Sequence, residues 1–269
     1  MSENLDERYV GIVLDPIRVC ARYRPQMGHG RQGGFSLAEF QQLYRKDTFY
    51  GWFGLDNPLM YTAHKAAGGM TSVYRQIGIG CEALFRQILR DQLGLSDSDV
   101  DWSYTISTSD DRTRRLSLDA RVPLEGVRDR AVRRRVLAWL TKAAKRLDID
   151  SQVSSTLRGA VFEVRQGYKS KDSKRQNADI ANAATAYTKA YLPCVVVLST
   201  QIDDDICNRY RMERWLVLTG ITSSASELES TYAFMHKVIG FDLAGFFERN
   251  KEVFRSEVDS VLRLLLCPE

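Results

Sequence analysis

Histidine is scarce in this chain of 269 residues. His29, His64 and His236 lie far apart, so no local histidine-metal or histidine-base motif can be written from them. The five cysteines, Cys20, Cys81, Cys194, Cys207 and Cys267, form no C-x-x-C pair, which argues against a zinc site or a disulfide framework and for reduced thiols in a cytoplasm. No run approaches the roughly 18 apolar residues that cross a bilayer. The opening MSENLDERYV has no apolar signal core, so neither secretion nor membrane insertion is expected and the localisation expected is cytoplasmic. Internal repeats and low-complexity segments are missing as well.

Apolar residues make up 44% and charged residues 27%, ordinary values for a soluble globular chain long enough for a sizeable core. The net charge is only +4, but 38 Lys and Arg make the surface rich in cations, with a cluster of them between about residues 112 and 175. This is a local basic face rather than a basic protein.

Residues 1–70 read as an N-terminal subdomain or arm, residues 71–220 as the core, and residues 221–269 as a C-terminal helical segment packed on the core or at a subunit contact. In the first part, FSLAEFQQLYRKD is a short helix behind a Ser cap, whereas TFYGWFGLDNPLMYTAHKAAGG is aromatic, Gly-broken and reads as a loop. A helix is predicted over 71–94, with apolar residues from Val73 to Leu89 at helical spacing. Gly78 and Gly80 weaken its middle and call for a close approach by backbone or ligand; Glu82 follows them.

WSYTIST and RRLSLDARVPL alternate like strands about a polar tip, which predicts a hairpin. Asp119 falls in the middle of the second strand, where an acid is disfavoured and needs a reason. Residues 126–147 form an amphipathic helix whose polar side is almost purely cationic, a pattern that a nearby polyanion would account for. RGAVFEVRQGY is a strand with Glu163 and Arg165 on one face. A helix capped by Asp172 or Ser173 follows, then a strand buried on both faces (LPCVVVLST), a helix (DDDICNRYRMERW), a short strand (WLVLTG) and C-terminal helices that begin at SSASELES. The order predicts an α/β protein with a central mixed β-sheet flanked by helices, carrying N- and C-terminal helical additions.

Asp119 and Glu163 stand on neighbouring strand candidates, each before a polar turn. Two carboxylates so placed can share a Mg²⁺ ion, which prefers hard oxygen ligands and keeps several waters. This helix, three-strand, helix, strand order, with an acid on the second strand and E-x-basic on the third, resembles the PD-(D/E)xK nuclease superfamily over roughly residues 71–219. Within it, the size and basic insertion look most like a type II restriction endonuclease.

The resemblance implies that Asp119 in LDARV and Glu163 in FEVR hold the metal, with Glu82 as a third acid from the preceding helix. Asp179 offers an alternative second acid on the following helix. Arg165 stands where the family usually has lysine, so Lys169 is the preferred substitute and Lys171 a close second. In KSKDSKRQNAD, Lys171, Lys174 and Arg175 suit phosphates, and the amides of Gln176 and Asn177 suit adenine edges in a major groove. The activity implied is Mg²⁺-dependent hydrolysis of phosphodiester bonds at specific double-stranded DNA sites by a homodimer or higher homo-oligomer. The alternatives are a DNA-binding module without catalysis, and a repair or RNA-processing nuclease of the same fold.

Overall fold

The computed structural model of the chain describes residues 2–27, 33–107, 113–168 and 183–267. The first helices are α1 (Ser2–Arg18), α2 (Leu37–Lys46), α3 (Thr48–Trp52), the long α4 (Pro58–Leu93) and α5 (Asp97–Val100). Strands β1 (Trp102–Ser107), β2 (Thr113–Leu118) and β3 (Ala120–Pro123) follow, then α6 (Arg130–Arg146), α7 (Ser151–Thr156) and β4 (Gly159–Arg165). A helix over residues 183–188, α8, leads into β5 (Tyr191–Val197), α9 (Asp204–Met212) and β6 (Leu216–Leu218). After these come α10 (Thr231–Phe234), α11 (Leu243–Arg249) and α12 (Lys251–Leu266). Two compact units result: Met1–Gly80 with Glu248–Glu269, and Cys81–Phe247.

In the first unit, α2 starts as its sequence predicts. Ser36 accepts the Glu39 N–H through its hydroxyl, and the Glu39 carboxylate accepts the Ser36 N–H at 2.9 Å, a reciprocal capping box. The stretch expected to be a loop is instead largely helical. Asp47 caps α3 by accepting the N–H groups of Phe49 and Tyr50, and Asn57 Oδ1 accepts from Met60 N–H at 2.9 Å while Pro58 takes the first position of α4.

The glycines of α4 that look like breaks mark places where other groups press on the helix. A Cβ at Gly68 would fall 1.9 Å from the Tyr23 hydroxyl oxygen, and one at Gly80 would fall 2.6 Å from the Val13 carbonyl oxygen. Gly80 thus has the close backbone approach that its position called for. Gly78 has open space around it.

The second unit is α/β, with a mixed four-stranded sheet flanked by helices. The strand order is β3-β4-β5-β6; β3 runs antiparallel to β4, while β4, β5 and β6 are parallel. All seven residues of β5 are buried, as a continuous apolar strand requires. On one sheet face, Val161 of β4 joins a core with Trp102, Leu118, Tyr191, Val195 and Trp215. On the other, the Phe162 ring lies 5.4 Å from Phe85 of α4 and 6.3 Å from Trp139 of α6. Successive β4 side chains alternate between faces, so Glu163 and Arg165 share the side of Val161.

One sequence expectation is corrected where it matters most. RRLSLDARVPL is two strands, not one: β2 pairs with β1 up to Leu118 opposite Trp102, and β3 pairs with β4 from Ala120 opposite Phe162. The chain changes sheets at Asp119. Aspartate is poor in a strand interior and good at a bend, so the residue that fitted the strand badly is the residue at which the strand ends. Farther on, SSASELES does not begin a helix; α10 starts at Thr231, capped by the Ser230 side chain.

Among the described residues no helix is long and apolar enough to cross a membrane. The five cysteines are free thiols, buried except for Cys267. Burial pushes the Cys81 thiol up to about 12, which leaves almost no thiolate at neutral pH. A thiol reagent is therefore expected to label only Cys267 in the native protein, with the other four reacting after denaturation. Mass mapping of the labelled peptides checks this, and rapid native labelling of Cys81 or Cys194 would contradict it.

Candidate active site

Asp119 is held from two sides. Its carbonyl accepts from Arg86 Nη1 at 3.0 Å, and its carboxylate Oδ2 accepts from the Val164 N–H of β4 at 2.8 Å. The second bond follows from the change of sheet. Continued past Ala120–Phe162, the β3–β4 pairing would set position 119 opposite 163 and Leu118 opposite Val164. Leu118 has left to pair with Trp102, so its carbonyl is unavailable and the Asp119 side chain takes the vacated donor. The same bond brings the carboxylate to the backbone beside Glu163.

Glu163 and Arg165 are both buried, at 5% and 8% exposure, and the Arg165 Nη2 and Glu163 Oε1 atoms form an ion pair across two positions of one strand face. Arginine stays charged at any usable pH, so a buried carboxylate beside it has a counter-charge in a site that penalises an unpaired one. The basic residue in the lysine position of E-x-basic is thus a partner of the acid itself.

Glu82 lies on α4 one turn before Arg86, so both project from one side of the helix, the side that reaches Asp119. Arg86 was missed in the sequence; its only signal is its position four residues beyond Glu82. Among the described residues no group of three or more His, Cys, Asp or Glu side chains is arranged to hold a metal ion, so Glu82 does not complete a three-acid cluster. Asp119 and Glu163 are both carboxylates, the donor type that Mg²⁺ takes, and one or two suffice when water fills the other positions.

Lys169, Lys171, Lys174, Arg175, Gln176, Asn177 and Asp179 lie outside the described residues. The chain reaches them from Tyr168, whose N–H donates to the Gln201 carbonyl at 2.7 Å and whose hydroxyl lies 2.9 Å from that of Tyr210.

The basic helix α6 divides its cations between two tasks. Arg135 donates to the carbonyls of Val238 and Ile239, Lys142 pairs with Glu227 at 2.8 Å, and Arg146 pairs with Glu229 at 3.3 Å. The hydrogen bond from Lys142 holds the Glu227 carboxyl below the usual carboxylate range. Arg130, Arg133, Arg134 and Lys145 are exposed and make no side-chain hydrogen bond or ion pair among the described residues. Arg130, Arg134 and Lys145 recur at helical spacing and make a cationic stripe roughly 22 Å long at the standard rise per residue.

No protein-family model, curated protein or solved structure matches the chain.

Proposed function

We propose that this protein is a Mg²⁺-dependent endonuclease that hydrolyses phosphodiester bonds at specific double-stranded DNA sites, with a core of the restriction-endonuclease kind, working in the cytoplasm as a homodimer or higher homo-oligomer. The observation that carries the reading is the Asp119 carboxylate bound to the Val164 N–H, which ties one acid to the strand segment that holds the other. A helix, an adjacent strand with E-x-basic and a following parallel strand agree with the PD-(D/E)xK pattern, while Asp119 stands at a bend between two strands rather than on the second strand.

In this reading Asp119 and Glu163 hold the cation. When bound, Mg²⁺ would offset charge on a phosphoryl oxygen and lower the pKa of a water molecule. Arg165 pairs with Glu163 and contributes fixed positive charge where the transition state gathers negative charge, but it cannot exchange a proton. Proton exchange falls to Lys169 or Lys171. The exposed stripe of α6 contacts the phosphate backbone, and Gln176 and Asn177 read bases.

Such a stripe makes binding salt-dependent. Replacing Arg130 and Arg134 by alanine is expected to weaken duplex binding across all sequences and to reduce the slope of log K against log salt by about 1 for each phosphate no longer neutralised. Filter binding over a salt series checks this; an unchanged slope would remove α6 from the interface.

A second reading has an observation in its favour. Asp119 accepts a backbone N–H and Glu163 pairs with Arg165, so both acids have structural partners, as they would in a DNA-binding module without catalysis. Supercoiled plasmid separates the two: the endonuclease linearises it in Mg²⁺ and not in EDTA, whereas the binder leaves it intact in both. Cleavage of RNA, or degradation only from DNA ends, would point instead to a processing or repair nuclease of the same fold.

A further inference from the structure

The unit formed by Met1–Gly80 and Glu248–Glu269 has an aromatic surface that the proposed catalysis does not use. Helix α3 buries none of its residues, yet Phe49, Tyr50, Trp52 and the adjoining Phe53 are 58%, 40%, 78% and 65% exposed. Rings so exposed add little to folding, and their clustering calls for a ligand. The cluster is ordered by contact: Tyr44 and Tyr50 stack with centroids 5.0 Å apart and planes at 22°, and Phe40 lies 4.3 Å from Tyr44.

Tyr44 and Tyr50 also line a cavity of about 760 Å³, together with Tyr23, Met27, Lys46 and His64. Burial raises the Tyr44 hydroxyl pKa. A second cavity of about 540 Å³ shares Tyr23 and is lined by Arg22, Arg24 and Lys65. Lys65 Nζ donates to the Cys267 carbonyl at 2.9 Å, and Arg22 is exposed. A ring-lined cavity and a cation-lined cavity that meet at one tyrosine have the two chemistries of a nucleotide side by side: a π face for the base and positive charge for the phosphate.

We propose that this surface binds unpaired nucleotides of single-stranded nucleic acid, with a base against the Tyr44–Tyr50 rings and the backbone phosphate toward Arg22 and Arg24. Nucleic acid is chosen over other flat anionic ligands on the strength of the endonuclease reading; the ring and cation arrangement stands without it. Stacking tolerates any base, so the surface favours strand ends and unpaired stretches over a sequence.

The test uses the full chain in EDTA, where no cleavage is possible, and a short oligothymidylate. Trp102, Trp139 and Trp215 are buried and Trp52 is exposed, so quenching of tryptophan fluorescence reports stacking at this surface. The expected result is saturable quenching, with Tyr50→Ala weakening binding by about tenfold and Arg22→Ala lowering the salt slope by about 0.7. Trp52→Ala, followed with a labelled oligonucleotide, should weaken binding to a similar extent. Both ring variants should melt like wild type. Wild-type affinity in both would overturn the proposal. So would a Trp52→Ala protein that loses self-association or binding to phosphatidylserine vesicles while it keeps wild-type oligothymidylate affinity. Failure of plasmid cleavage in Mg²⁺ would count against the endonuclease reading and leave this binding result as it stands.

Discussion

The Asp119→Ala protein is expected to leave supercoiled plasmid uncut in Mg²⁺ and to bind the same DNA in Ca²⁺ within a few-fold of wild type. Loss of one charge-bearing group at a phosphoryl-transfer site is worth on the order of a hundredfold to a thousandfold in rate, and a metal-holding acid falls at the upper end or beyond. The side chain also has a structural task, since its Oδ2 satisfies the Val164 N–H. Alanine leaves that donor without its acceptor, at a cost of about 1–3 kcal/mol.

Asp119→Asn separates the two effects. Its amide oxygen still accepts the N–H, so the fold should be kept within about 1 kcal/mol, while the lost negative charge is expected to remove cleavage. An Asp119→Asn protein that folds and cuts at the wild-type rate would show that this carboxylate is only a latch between two sheets.

Arg165→Ala is expected to lower the stability of the fold by about 3–5 kcal/mol, because it leaves the Glu163 carboxylate buried without its cation. The effect belongs to the broken pair rather than to the arginine itself. Replacing Glu163 and Arg165 together by leucine and methionine should therefore recover most of the loss, since an apolar pair of similar volume has no charge to desolvate. Urea unfolding of Glu163→Leu, Arg165→Met and the double variant closes the cycle, with Arg165→Ala measured beside them. A loss below about 1 kcal/mol for Arg165→Ala would mean that water or another cation reaches Glu163 and that the pair is not sealed in the core. The double variant should fold and fail to cleave, which makes it a control for the Asp119 experiments.

Much of the second unit could be read from the chain because its signals are local. The continuous apolar run of β5, the Glu163 strand and the cationic helix each follow from spacing and residue type, and all three sit where the sequence puts them. Asp119 was legible as an anomaly, an acid with no reason to be inside a strand. Its reason is non-local: Leu118 pairs with Trp102, and Ala120 pairs with Phe162.

The Glu163–Arg165 pair was half legible, since alternation puts both residues on one face and cannot show that the face is buried. Residues 48–70 misled because glycine and aromatic residues are read as breakers, whereas Gly68 is where the Tyr23 hydroxyl packs against α4. Arg86 was invisible because an arginine on an amphipathic helix usually faces water, and only the tertiary fold brings the Asp119 carbonyl to it.

Digestion of a defined genome with the purified protein, followed by mapping of the fragment ends, tests the central claim most directly. The account predicts discrete fragments in Mg²⁺ whose ends share one short sequence, and intact DNA in EDTA. Intact DNA in both Mg²⁺ and Mn²⁺, from protein shown to be folded, would contradict it.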